Sequence, residues 1–537
     1  MKPNCRTFLL LILATIFAIT GCSKNEGSSE ETTNSTEQEV RELVLAVGGE
    51  SDEGFDPTTG WGRYGSPLFQ STLLKRDSNM EIVNDLAENY SISEDALTWT
   101  VNIRQDVKFS DGEPLTAEDV IYTFETTAKS NSVVDLQNVA SVTAQNDSTV
   151  IFTLKSPQST FIDILATLGI VPKHAHNESY AEQPIGSGPF KLVQWDKGQQ
   201  LIVEENPNYY DEKPYFKKLT FLFLDEDAAY AAAKAGTVDV AYIPSAFSKQ
   251  QVAGMRLESL ESVDNRGIMF PYVKSGQTTA DGHPIGNDVT ADLAIRKAIN
   301  AAVDREALVE GVLEGQGTPA YTISDKMPWW NSDTVIEDGD AAKAKGILSK
   351  GGWKDTDDDG IVEKDGVKAQ FTLLYPSSDE TRQSLAIAVA DMIKPIGIEI
   401  IVDGESWDEI GKMMYSNAVL LGWGSHDPLE MYNVYSSKYA GVDYFNPGFY
   451  KSPIVDQYLE EAIAAKDEKA AMDLWKKAQW DGTTGMSAKG DAPWAWLVNL
   501  NHLFLVREQL DIGHQQIHPH GHGWPVTSNI EEWKWKE

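Results

Sequence analysis

Apolar and polar positions along this chain fall into distinct stretches. Residues 8–20 run apolar behind the basic Lys2 and Arg6, and residues 23–39 (SKNEGSSEETTNSTEQE) then carry no apolar side chain. The first stretch reads as a secretory signal, too short to span a bilayer as a permanent helix. The second cannot bury a core and reads as a disordered tether. From residue 41 the pattern becomes that of a folded body. Residues 41–47 (RELVLAV) alternate and then turn apolar, and 97–103 (LTWTVNI) alternate strictly; both are expected to be strands. Residues 106–114 (DVKFSDGEP) predict a strand entering an Asp111-Gly112 turn. Thr116 and Asp119 stand at capping-box spacing ahead of an amphipathic helix over 116–129, and two strands are expected within 141–154 about Asn146-Asp147. Strands alternating with helices predict an α/β protein.

One stretch breaks the periodicity. In 420–435 (LLGWGSHDPLEMYNVY) a short apolar run, read as a buried strand, feeds into Gly422-Trp423-Gly424 and then Ser425-His426-Asp427-Pro428. The two glycines admit close backbone approach, and Pro428 holds Asp427 extended. An indole, an imidazole and a carboxylate are therefore displayed on a bent turn, as a ligand-contacting segment would display them. A glycine-rich loop after the first strand displays Trp61, Arg63 and Tyr64 in the same manner.

Length changes the picture by requiring more than one core: 537 residues exceed what a single ordinary domain holds. The formal net charge of −36 argues against nucleic acid and anionic membrane surfaces as partners and fits a well-solvated extracellular surface. There are two cysteines, Cys5 inside the signal and Cys22 at its end. Residues 19–22, Ile-Thr-Gly-Cys, resemble a bacterial lipobox, in which the cysteine becomes the lipidated first residue of the mature chain. The body then holds no disulfide and no thiolate metal site.

Candidate chemistry lies in three further places. Asp355, Asp357, Asp359 and Gly360 match positions one, three, five and six of a calcium loop, but position twelve is Gly366 rather than a bidentate Glu, so a solvated acidic turn is the preferred reading. His174 and His176 are read as surface histidines. Four of the nine histidines fall at His514, His518, His520 and His522, interleaved with Pro519 and Gly521 in a loop, and imidazole suits nickel, copper and zinc. His426, His518, His520 and His522 are the candidate metal-contacting residues, against the alternative of a polar terminal loop. No G-x-S-x-G or H-E-x-x-H motif occurs, and adjacent Ser425, His426 and Asp427 cannot form a catalytic relay. A metal-dependent hydrolase is thus the weaker alternative to a non-enzymatic binder.

Several blocks together resemble the bacterial family 5 extracellular solute-binding proteins, the peptide- and nickel-binding components of ABC importers. They are 86–125 (LAENYSISEDALTWTVNIRQDVKFSDGEPLTAEDVIYTFE), IGSGPF at 185–190 with Ser187 where the family has Thr, and ENPNYYDEKPY at 205–215. GTVD at 236–239, IRKAINAAVD at 295–304 followed by Arg305, 315–320, PWW at 328–330 and GIEI at 397–400 follow in the family's order. The resemblance implies a two-lobed periplasmic-binding-protein-like α/β fold (type II, large variant), with a subdomain inserted in lobe one and a cleft closed by a hinge. Carried onto this chain, 1–21 is the signal and 22–39 the tether. Lobe one is 40–85, 175–285 and 500–537, the insert 86–174 and lobe two 286–499. The turn at Trp423 resembles the W-G-x-x-x-D-P of the nickel branch. Trp61, Arg63, Tyr64, Arg382, Trp423, His426, Asp427, Tyr432 and Tyr435 are the expected ligand-binding residues, with Asp427 either the peptide-type anchor, if the cargo is a peptide, or equally a structural turn residue before Pro428. Some nickel binders grip a chelator's carboxylates with an arginine pair; no motif marks one here, and Arg63 and Arg382 are the candidates. The expectation is a monomeric receptor anchored to the extracytoplasmic face of the membrane through lipid on Cys22. It captures nickel as a small chelate, or alternatively a short peptide, for ABC permease subunits, and needs no resident cofactor.

Overall fold

The computed structural model describes residues 41–51, 54–65, 67–130, 134–521 and 523–536. The expected signal, the tether, Cys22 and His522 lie outside the described residues.

The first strand, Glu42–Ala46, lies in the middle of a seven-stranded sheet. It pairs in parallel with Lys218–Leu222 and Val240–Ile243. Beyond them Gln200–Glu205 and Phe190–Asp196 extend one side, and His502–Arg507 and Met255–Leu260 the other, all antiparallel. Both faces are covered, as the apolar run at 41–47 requires: Leu43 and Leu45 enter one core, with Phe221, Phe504 and Trp524, while Ala46 and Ala241 enter the other. This is the first lobe.

A six-stranded sheet makes the second lobe, in the order Gly317–Pro319, Trp494–Leu500, Asn265–Met269, Ala418–Leu421, Gln370–Pro376, Glu399–Glu405. The helix Glu380–Ile393 carries the chain between the parallel strands Gln370–Pro376 and Glu399–Glu405. Neighbouring residues of one strand serve opposite cores, Leu373 one and Leu374 the other.

The third unit is the insert. Ala87–Ile92, Thr98–Ile103, Thr149–Leu154 and Val139–Asn146 form an antiparallel sheet with the helix Ala117–Thr127 on its inner face. Only that face is covered, so Trp99, Val101 and Ile103 are buried while Thr98, Thr100 and Asn102 are half-buried. The Asp119 carboxylate accepts from the Thr116 N–H at 2.9 Å, which fixes the helix start where the capping-box spacing put it.

The chain passes between the two large sheets twice, from Leu260 to Asn265 and from Leu500 to His502. This corrects the expected boundary at 285/286. Asn265–Met269 is buried throughout and lies between two strands of the second sheet, so the crossing falls at 261–264. The polar pair Asn265-Arg266 hid this strand, because neither alternation nor an apolar run marks it. A third segment joins the crossing: the His518 N–H donates to the Glu261 carbonyl at 2.8 Å, and the Val263 N–H donates to the His518 carbonyl at 2.8 Å. The insert also touches the second lobe directly. Ser159 caps the helix Pro453–Ile463, donating its N–H to Ile463 O and its hydroxyl to Ala462 O, each at 2.8 Å.

Candidate functional site

The Trp61 loop, Tyr242, His502 and Trp524 line a cavity of about 480 Å³ on the first lobe. That volume suits a small organic ligand. The Trp61 indole N–H donates to Pro67 O at 2.7 Å, and its ring meets Phe55 and Trp524 edge-on at 4.8 and 5.4 Å. The Arg63 guanidinium lies 4.6 Å over the Tyr64 ring. Burial pushes the Tyr64 phenol up. Its ring stands 6.5 Å from that of His520, whose N–H donates to Gly424 O of the second lobe at 2.6 Å. The Trp423 turn therefore faces this cavity wall across the gap.

The turn is held from behind. Trp423 exchanges two 3.0 Å hydrogen bonds with Asn265, through the Asn265 N–H and the Asn265 side-chain carbonyl. Its ring stacks on Phe445 at 5.7 Å. Gly424 sits at φ +148°, where a Cβ would come 2.3 Å from Val263 O. The N–H groups of Gly424 and Ser425 both donate to the Glu430 carboxylate, at 3.1 and 3.0 Å to the same oxygen. Burial pushes that carboxyl up to about 7.

Beside Gly422 the structure assembles an arginine pair. A Cβ on Gly422 would lie 2.6 Å from Arg266 Nη1 and 3.1 Å from Arg382 Nη2. Both arginines are buried, 7% and 8% exposed, and each is ion-paired to its own carboxylate, Arg266 to Asp264 and Arg382 to Asp379. The Nε of each, and the indole nitrogen of Trp423, has no hydrogen-bond partner among the described residues. Burial first, and the neighbouring Arg266 second, lower Arg382 to about 10. Arg382 was one of two arginines expected here. The arginine that lies beside it is Arg266; Arg63 is exposed on the Trp61 loop of the first lobe.

Among the described residues, His426, His518 and His520 do not converge on one point as metal donors. His426 Nε2 bonds Ile517 O at 2.8 Å, and burial, followed by the Arg76 charge, lowers the ring to about 3. It is a neutral donor tying the turn to the C-terminal loop, with that nitrogen already engaged. His518 is fully buried in the crossing, its Nδ1 3.1 Å from His502 Nδ1. His520 Nδ1 bonds Asp264, which also contacts His502 Nε2 at 3.4 Å. Burial alone would raise Asp264, but Arg266, His520 and His502 hold it well below the usual carboxylate range. Among the described residues, the one set of three converging metal-donor side chains is Asp355, Asp357 and Glu363. There the Lys368 ammonium lies 3.0 Å from Asp357 and also pairs with Asp359.

Two further expectations are corrected, for Tyr435 and His176. Tyr435 is core rather than cleft wall: it is 2% exposed and its oxygen accepts from Trp496 Nε1 at 2.8 Å. Tyr432, on the same helix, packs edge-on against Tyr439 at 5.7 Å. Asp427 turns its carboxylate to the Leu429 N–H at 2.8 Å, and burial together with Asp163 of the insert pushes it well above the usual range. It scaffolds the turn. His176 is not a surface residue but bridges Tyr122 and Asp56, each at 3.0 Å.

Arg266, Asp264, His502 and Glu430 were missed. The only signal for the first two was a run of charge and amide, Asp264-Asn265-Arg266, separated by Gly267 from the apolar Ile268-Met269-Phe270.

Residues 81–446 match the model of the bacterial extracellular solute-binding proteins, family 5. Protein XP55 of Streptomyces lividans is 34% identical over 488 residues, 87% of this chain and 85% of that protein. The structure of NikZ from Campylobacter jejuni in complex with Ni(L-His) superposes with a TM-score of 0.76 at 27% identity, covering 92% of this chain and 99% of that one. That of the oligopeptide-binding protein AppA from Bacillus subtilis in complex with a nonapeptide gives 0.69 at 26%, covering 92% and 99%. Two lobes joined by a double crossing, an insert on the first and a lined cleft between them agree with these relatives in architecture, and the chain belongs to the bacterial extracellular solute-binding proteins of family 5, the extracytoplasmic binding components of ABC importers.

Proposed function

We propose that this protein is a lipid-anchored receptor that captures nickel as a small carboxylate-bearing chelate and hands it to a membrane permease. The observation that carries the reading is the arginine pair. Arg266 and Arg382 are like charges held side by side in a buried site, each with an Nε that has no hydrogen-bond partner among the described residues. Buried donors without partners are costly. Such an arrangement is sustained when a ligand supplies acceptors, and guanidinium forks match carboxylates. In this reading few protein groups touch the metal and the chelator carries most of the recognition. The NikZ likeness supports a nickel complex as that ligand.

A short peptide is the second reading. The AppA likeness favours it, and a peptide also ends in a carboxylate. Calorimetry with nickel plus free histidine, and separately with a mixture of di- to pentapeptides, tests the choice: heat with the nickel complex alone is expected, and heat with peptides alone would reverse it. Anchoring through lipid on Cys22, a monomeric state and delivery to the permease belong to the same proposal. Labelling with a radioactive fatty acid, lost in Cys22→Ser, checks the anchor.

A further inference from the structure

The insert is built onto the first lobe. The Ser110 N–H donates to Gly186 O and the Ile170 N–H to Ser71 O, each at 2.9 Å. The Ser130 hydroxyl donates to Thr58 O at 2.7 Å, and His176 joins Tyr122 of the insert to Asp56. Rotation of the lobes about their crossings therefore carries the insert with lobe one.

Ser159 stands where the insert meets the second lobe. Its neighbours are anchored inside the insert: Gln158 and Thr160 are buried, Gln158 Oε1 accepts from the Asn138 side chain at 2.9 Å, and Gln158 Nε2 donates to Thr160 Oγ1 at 3.2 Å. Phe161, next in the chain, is fully buried in the insert core. The segment is thus shaped by the insert itself and holds Ser159 ready. What it meets is the end of the helix Pro453–Ile463, where the last carbonyls point out of the helix. The Ser159 N–H takes Ile463 O and its hydroxyl takes Ala462 O, at 2.8 Å each. Four residues on, Asp163 pairs with Arg76, which donates to His426 O of the cleft turn at 2.9 Å. A cap made between parts that move against each other breaks when they separate, and its groups then turn to water. Each such bond biases the closed form by about fivefold.

We infer that the insert is the latch of the cleft. Carried on lobe one, it caps the helix Pro453–Ile463 of lobe two through Ser159 when the lobes close. That cap sets how long the closed form lasts, and so how fast cargo leaves, whether the cargo is a nickel chelate or a peptide. The alternative is a fixed strut, in which the insert and the second lobe stay joined through every opening.

Hydrogen exchange at the Ser159 amide of the full-length protein separates the two. Without cargo this amide should exchange at least tenfold faster than with saturating nickel and L-histidine, or with a nonapeptide if only that probe binds. Equal protection with and without bound probe makes the contact a strut and overturns the latch. Two variants test the cap itself. Ser159→Ala keeps the N–H and loses the hydroxyl donor, and probe dissociation in stopped flow should become about fivefold faster. Ser159→Asp sets a carboxylate against two carbonyl oxygens at the negative end of a helix, and dissociation should become about tenfold faster or more. Unchanged dissociation in both variants overturns the latch. Binding of neither probe would remove the proposed cargo and not the latch, which a ligand-free measurement then decides. The His520 amide is bonded to Gly424 O across the gap and opens in the same motion, so it should exchange severalfold faster in Ser159→Asp. A His520 amide that exchanges alike in the wild-type protein and the variant overturns the latch.

Discussion

Arg382→Met should separate stability from binding, with opposite signs. Folding lowers the Arg382 pKa from 12.5 to about 10, chiefly by burial. A base whose pKa falls on folding destabilises the folded state wherever it is charged there, that is, below about pH 10, and the penalty vanishes only above its unfolded value. The shift corresponds to roughly 3 kcal/mol at about 1.4 kcal/mol per unit. Methionine keeps most of the volume and removes the repulsion from Arg266. The Asp379 carboxylate loses its ion pair but keeps its cap on the Arg382 N–H at 2.8 Å, made by the backbone and not the side chain. The ligand-free variant is therefore expected to be more stable by about 1–3 kcal/mol in urea unfolding, allowing for the lost ion pair with Asp379. Cargo affinity should fall about ten- to hundredfold, because one charged hydrogen bond to a ligand carboxylate is worth about 1.5–3 kcal/mol. A variant that is both less stable and unimpaired in binding would show that Arg382 is a structural residue and refute the reasoning.

Other outcomes follow from the same geometry. Gly186→Ala would set a Cβ 1.9 Å from the Phe69 carbonyl oxygen, and the thermal midpoint should fall by many degrees or the protein fail to accumulate. Arg305, fully buried and bonded to the carbonyls of Asn300, Ala320 and Trp496 and to Asp338, should destabilise by about 3–5 kcal/mol on replacement with Met, measured by denaturant unfolding. Tyr435→Phe removes the acceptor for the Trp496 N–H and should cost about 1–3 kcal/mol of stability with cargo affinity unchanged, since the side chain is core. Asp163 and Asp325 are raised to about 6, and Glu430 and Glu531 to about 7. Above the unfolded histidine value of 6.5, where the buried neutral His426 and His518 no longer oppose it, the native state binds more protons through Glu430 and Glu531, so stability should fall as pH rises from about 6.5 to about 8 in a thermal melt series, and a rising profile there would contradict these burials.

What could be read from the chain depended on whether an element has one buried face. LTWTVNI did, so its alternation showed the insert strand and its inward residues. NRGIM did not: it is buried on both sides, begins with an amide and a guanidinium, and carries no period, so the lobe boundary was misplaced and Arg266 with it. The Trp423 turn was legible because glycine and proline restrict backbone locally, but side-chain direction was not. His426 and Asp427 point into packing that is set by residues 76, 163 and 517, far away in sequence. The dense C-terminal histidines suggested a ligand set, whereas spacing in a loop does not encode convergence, and His518 and His520 are spent on the crossing and on Asp264.

The backbone pairing of His518 with Glu261 and Val263 means that the body flexes about three threads, not two. Bonds at a pivot travel little during rotation, whereas those farther out must part. Parting the cleft therefore leaves the His518 ladder in place and ruptures the outer links, His520 N–H to Gly424 O, His426 to Ile517 O and Arg76 to His426 O. At about 1 kcal/mol each these amount to a catch of about 3 kcal/mol. The tail that follows thus acts as a clutch, and a fusion or truncation at the C-terminus would alter how readily the empty receptor gapes as well as how well it folds.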